Sequence, residues 1–202
     1  MGLHQVVLLS LLNLPWCYCA LRGAENRATC GLPGHQKRIV HGEDSKTCTW
    51  KWQVSLRALV NGTAEHYCGG TLVSDKWVLT AAHCTAFLND CKMATMQVVA
   101  GGHHQDSKNV VRGVKRVLIH PSFNIGSHFD YDFGLLELDS PVPFDDCVGS
   151  VCLPSQTFPR VGTTCEVTGL GTLNNQGALP SVLQQGEVST VSHATCSLAS
   201  YL

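Results

Sequence analysis

The sequence predicts an all-β protein whose first half closes into an antiparallel barrel. Three observations carry that prediction. Short apolar runs recur from about Ile39 onward, separated by polar and Gly-containing turns, with few long helical patterns. The Asn61-Gly62 pair between two such runs is a strong hairpin signal, because both residues tolerate the positive φ of a type I′ turn. Six of these runs fall within about a hundred residues, enough strands for a closed barrel.

Taken in order, Gln53 to Val60, His66 to Val73 and Trp77 to Thr80 read as three consecutive strands. Met96 to Gly101, Val110 to Ile119 and Phe133 to Leu138 supply three more, with polar loops between them. The Pro-containing stretch Ser140 to Pro154 then reads as a crossing linker. Strand-like sequence resumes at Thr164 to Gly169 and at Leu183 to Val191, too little to close a second barrel. There are no internal repeats and no low-complexity tracts.

The 202 residues suffice for one ordinary domain or two small ones. Formal charge is -1, with no block of Lys or Arg, which argues against nucleic acid or an anionic membrane as a partner. Met1 to Ala20 holds the apolar core Val6-Val7-Leu8-Leu9-Ser10-Leu11-Leu12, with small Cys17 and Cys19 at peptidase-like positions. This is read as a secretory signal, residues 1–20, too short to span a bilayer comfortably, so the mature chain is expected outside the cell and off the membrane. Eleven cysteines suit an oxidising compartment, and removing Cys17 and Cys19 leaves nine, an odd number. No C-x-x-C pair or His-Cys spacing points to zinc, so no metal and no cofactor is expected.

The run Cys68-Gly69-Gly70-Thr71-Leu72 leads into Trp77-Val78-Leu79-Thr80-Ala81-Ala82-His83-Cys84. Together these segments resemble the histidine motif of the trypsin/chymotrypsin family of serine proteases. The segment Asp132-Phe133-Gly134-Leu135-Leu136 resembles the family's aspartate motif, an acid before a buried apolar strand. Asp130 competes two residues earlier, but the apolar run begins directly after Asp132. The resemblance implies that His83 is the general base and Asp132 the carboxylate that holds its imidazole in one tautomer. It also implies a Cys68–Cys84 bridge beneath the histidine, worth about 3 kcal/mol in the chain-entropy picture.

Lys37-Arg38-Ile39-Val40-His41-Gly42 resembles the family's activation junction, which implies cleavage between Arg38 and Ile39 and a propeptide over 21–38. Cys30 resembles a propeptide anchor, with Cys152 in Val151-Cys152-Leu153-Pro154 as the implied partner. The family fold then assigns 39–202 to a two-barrel chymotrypsin-like domain: a complete first barrel at about 39–140, the linker at 140–154, and an incomplete second barrel at 155–202.

Three departures from the family accompany the resemblance. No Gly-x-Ser-x-Gly occurs in the 202 residues, whereas the family's Gly-Asp-Ser-Gly-Gly nucleophile motif lies further downstream. The expectation is therefore a C-terminally truncated, inactive trypsin-like endopeptidase precursor, since losing the serine alone costs on the order of a millionfold in rate. A completed form would act on protein or peptide substrates, be switched on by an activating protease and be open to protease inhibitors. The alternative is a non-catalytic short isoform acting as a binding module or decoy. Second, Cys165 and Cys196 match positions whose partners are missing, while Cys48, Cys91 and Cys147 match no common pair; a Cys48–Cys147 bridge is possible. Third, the loop Gly101 to Asp106 has no Glu to bind calcium, and adjacent His103-His104 read as solvated. Asn61-Gly62-Thr63 is the one glycosylation sequon and sits at the expected hairpin tip.

Overall fold

The computed structural model describes residues 30–34, 43–86, 95–103, 110–154, 159–172, 177 and 179–199. The chain divides into two units, Met1–Cys30 and Gly31–Leu202. Of the first only Cys30 is described. The signal segment 1–20, the activation residues Arg38 and Ile39, and Cys91 all lie outside the described residues.

Six strands of the second unit form a closed barrel in the order β2-β3-β4-β7-β6-β5. They are β2 (Gln53–Val60), β3 (Thr63–Leu72), β4 (Trp77–Thr80), β5 (Met96–Ala100), β6 (Val110–Ile119) and β7 (Gly134–Leu138). Every pairing is antiparallel, and β2 pairs with both β3 and β5 to close the ring. The β2–β3 hairpin turns on Asn61 (φ 51) and Gly62 (φ 83), with Val60 opposite Thr63, as a two-residue turn with both φ positive requires.

Side-chain alternation fills the barrel. On β7, Gly134, Leu136 and Leu138 are buried while Leu135 and Glu137 face outward. Leu56, Leu72, Val78 and Leu136 meet at the centre, each fully buried. A register shift after Leu56 pairs it with Cys68 and pairs Arg57 with His66, leaving Tyr67 as the extra residue of a bulge. The bulge turns Cys68 toward the core. The expected linker is not loose: Val142 and Val148 are buried against the barrel, and Val151 N–H donates to Leu72 C=O.

A smaller three-stranded sheet has the order β1-β9-β8, from β1 (Glu43–Asp44), β8 (Thr164–Gly169) and β9 (Gln184–Ser189). Here β1, which the sequence reading groups with the first barrel, pairs with β9 through Glu43↔Gln185 and Asp44↔Gln184. Thr168 Oγ1 donates to Gln53 Oε1 at 2.8 Å and Trp50 Nε1 to Gln185 Oε1 at 2.8 Å, tying this sheet to the start of β2. A short helix, α1 (His193–Ala199), follows. Ser192 starts it as an N-cap, its Oγ accepting from Thr195 N–H at 3.1 Å.

Candidate active site

The site sits where β4 ends and β7 begins. β4 and β7 pair from Trp77↔Glu137 to Thr80↔Gly134, so the residues after Thr80 and before Gly134 leave the barrel side by side. After Thr80 the chain is extended at Ala81 (φ -77, ψ 142) and then turns through one 3-10 turn, Ala82–Cys84. Ala82 is fully buried and Thr85 nearly so, which anchors the turn and leaves the His83 ring pointing out. Thr80 Oγ1 donates to Gly69 C=O at 2.8 Å, and Thr85 Oγ1 to Ala82 C=O at 3.3 Å, satisfying the backbone on both sides. Gly134 lets the strand start pack closely on the turn: a Cβ there would lie 3.2 Å from Thr85 Oγ1 and 3.4 Å from Ala81 C=O.

Asp132 reaches back to this turn with both carboxylate oxygens. Oδ1 accepts from the His83 backbone N–H at 2.8 Å, and Oδ2 lies 2.6 Å from His83 Nδ1. Partial desolvation acts to raise the Asp132 carboxyl. The hydrogen bonds from the His83 ring and backbone, its charge, and a backbone bond from Ala82 outweigh that and hold it below its ordinary value. The carboxylate is therefore ionised at neutral pH and can only accept, so Nδ1 is the donor in this pair and Nε2 lies on the other side of the ring. Asp130, the competing acid, is turned into its own loop, where Oδ1 accepts from Tyr131 N–H at 3.1 Å.

Phe129 is a neighbour the sequence did not announce. Its ring meets the His83 ring edge-on at 5.4 Å, and His128 packs against Phe129 at 4.1 Å. The loop pays for that placement in backbone conformation, with Asn124, Phe129 and Tyr131 all at positive φ. The Asn124 side chain accepts from Phe129 N–H at 2.7 Å, and Tyr131 stacks on His120 at 4.8 Å. Nothing periodic signals a contact across 46 residues; only the crowding of aromatics in 123–133 hints at it.

Cys68 and Cys84 are bonded to each other beneath His83. Cys84 Sγ lies 3.5 Å from His83 Nε2, and one ligand atom from each of Cys68, His83 and Cys84 falls within 4.8 Å of the others. The family resemblance implied this bridge beneath the histidine, with Cys68 arriving from β3 and Cys84 from the His83 turn. Cys48 and Cys147 are also bonded to each other, joining the entry to β2 with the segment after β7. Cys30 and Cys152 are both disulfide-bonded. Cys165 and Cys196 are free thiols. Asn61 is exposed at its hairpin tip. Among the described residues no helix is long and apolar enough to cross a membrane.

A sequence model described as Trypsin matches residues 39–201. The chain is 38% identical over 172 residues to "Suppressor of tumorigenicity 14 protein homolog" of Bos taurus, covering 80% of this chain and 19% of that protein. It is 33% identical over 180 residues to "Serine proteinase stubble" of Drosophila melanogaster, covering 84% of this chain and 22% of that one. The chain thus spans about a fifth of the length of each of these relatives.

Proposed function

The chain belongs to the trypsin family of serine proteases, and on that footing we propose that it carries the base and the orienting acid of a trypsin-like endopeptidase. His83 Nε2 takes the proton of an attacking serine hydroxyl and later returns it to the leaving amine. Asp132 holds Nδ1–H and stabilises the imidazolium while it exists. The observation that supports this reading best is the double grip of Asp132 on His83, at 2.6 Å and 2.8 Å, which leaves Nε2 on the exposed side. The substrate class is protein.

The 202 residues contain no nucleophile motif, so on this reading they do not hydrolyse peptides by themselves. Cleavage between Arg38 and Ile39 by another protease activates the complete enzyme, and Met1 to Ala20 directs it out of the cell. Asn61 carries a glycan at the β2–β3 tip. Peptidase inhibitors are further partners. A second reading, a binding module without catalysis, is favoured by one observation: the first barrel closes on its own strands.

A chimera tests the main reading. Residues 1–201 are joined in frame to a family member's segment containing Gly-Asp-Ser-Gly-Gly. The activated chimera should label with a fluorophosphonate probe and cleave a peptide, and the 202-residue chain should do neither. His83→Ala should lower kcat by about a millionfold and Asp132→Asn by about ten-thousandfold. Unchanged labelling in the His83→Ala chimera would contradict the assignment.

A further inference from the structure

We infer that His120 is a proton-operated latch on the loop 120–133: neutral, it closes the loop that lays Phe129 against His83, and protonated, it lets that loop open. The first support is the role of its ring. Nδ1 lies 3.1 Å from the Ser122 backbone N–H, which can only donate, so Nδ1 accepts and the neutral ring carries its proton on Nε2. The second is its position, since His120 holds both arms of the loop. Its N–H donates to Phe133 C=O at 3.0 Å, and its C=O accepts from Phe123 N–H at 2.9 Å. Its ring stacks on Tyr131 at 4.8 Å, 9° from parallel, and meets Phe133 edge-on at 6.4 Å.

The loop is held in a conformation that its residues do not favour. Asn124, Phe129 and Tyr131 have φ of 61, 63 and 51, a region that non-glycine residues occupy only where their surroundings enforce it. The ties that enforce it are hydrogen bonds across the loop and the His120 ring. Asn124 N–H donates to Asp130 C=O at 3.0 Å, and Asn124 Oδ1 accepts from Phe129 N–H at 2.7 Å. Phe129 is the residue that touches His83, and Tyr131 directly precedes Asp132, so a release at His120 reaches the site.

Histidine is the side chain whose charge ordinarily changes between about pH 5 and pH 8. A proton arriving on Nδ1 confronts the Ser122 N–H with a second donor, and the hydrogen bond is lost. The Tyr131 face attracts a cationic ring but offers the new proton no acceptor in the ring plane, so the ring turns away from Ser122. Among the described residues no carboxylate is ion-paired with the His120 ring. Asp130 Oδ1 is taken by Tyr131 N–H, Asp132 by His83, and Glu137, further along β7, by Lys115 and Arg116. His128 lies against Phe129 instead. The His120 ring is half-buried, which leaves it open to protons from solvent. One consequence rests on the proposed peptidase role: mild acid withdraws Phe129 from the base by a route separate from protonation of His83 itself.

The test is a pH series on the full 202-residue chain, followed by nitrogen NMR of the histidine rings and by amide hydrogen exchange. At the alkaline end the His120 ring should be neutral with its proton on Nε2. As that ring takes up its second proton, the Ser122 and Phe129 amides should lose protection by about tenfold, the order of one lost hydrogen bond. Leu136, in the barrel, should keep its protection throughout. His83→Ala should show the same loss at the same pH, which separates the latch from the base. His120→Asn keeps an acceptor in Oδ1 and takes up no proton, so its loop should stay closed across the range. A His120 ring that protonates while Ser122 and Phe129 stay protected would overturn the proposal. So would a transition that survives in His120→Asn, disappears in His83→Ala, or spreads to Leu136 as general unfolding. The series on the parent chain decides the matter by itself should a variant fail to fold. None of these readings needs peptide hydrolysis, so failure of the proposed activity leaves them intact.

Discussion

Leu136→Ala tests the barrel where it supports the site. Leu136 is fully buried on β7, opposite Val78 of β4 and Val117 of β6, four residues after Asp132. Truncation removes three carbons from the core. At about 0.8 kcal/mol per buried methylene the transfer loss is about 2.4 kcal/mol. The cavity left in a closed ring brings the total to about 2.7–5 kcal/mol. Leu135 is the internal control, because it points outward beside Trp77 and Leu79. Its loss should cost about 1 kcal/mol, the value of a half-buried side chain. Urea unfolding followed by tryptophan fluorescence reads both variants. With a slope of about 2 kcal/mol/M, Leu136→Ala should move the midpoint down by more than about 1 M, and Leu135→Ala by about half of that. A one-residue register change would exchange the two faces of β7. Equal costs, or a larger cost for Leu135→Ala, would therefore refute the register.

Further outcomes follow from the same geometry. Gly70→Ala would bring a Cβ within 2.8 Å of Val78 Cγ1 and 3.0 Å of Val54 Cγ2, so thermal melting should show a loss of about 1–3 kcal/mol. His66 is held below its ordinary value, first by burial and then by Arg57, while its Nδ1 shares a 2.8 Å hydrogen bond with Ser55. The unfolded chain therefore takes up that proton first, and stability should fall as pH drops below about 6.5 toward the lower folded value. His66→Gln should remove that dependence from urea midpoints. Glu137 is held low by the Lys115 hydrogen bond, against desolvation, with Arg116 adding to it. Its contribution is present above the ordinary glutamate value and lost as pH falls through the lower folded one, so Glu137→Gln should flatten the acid limb below the ordinary glutamate value of about 4.3.

The barrel was legible because its strands are short, β-rich and separated by turn residues, and because Asn61-Gly62 admits one tight hairpin. Five of the six strand predictions land within a residue of the observed elements. His66 to Val73 came out short, since β3 begins at Thr63, directly after the turn. Two elements were not legible. β1 is a two-residue strand, too short to show alternation, and it exists only because β9 lies beside it. α1 spans seven residues, below the length at which helical periodicity stands out, and its Ser192 cap was the sole cue. The His83 and Asp132 segments could be read from their neighbours along the chain. The Cys68–Cys84 bridge beneath His83 was implied by the same motif, though not the bulge at Tyr67 that turns Cys68 inward. Phe129 could not be read: it reaches His83 through a loop at positive φ, backbone geometry that composition does not encode.

Nitrogen NMR of the His83 ring in the 202-residue chain at neutral pH reaches the central claim most directly. If Asp132 holds the imidazole as the structure has it, neutral His83 carries its proton on Nδ1, with a strongly downfield proton signal that Asp132→Asn abolishes. A neutral ring protonated on Nε2, or a spectrum indifferent to Asp132→Asn, would contradict it.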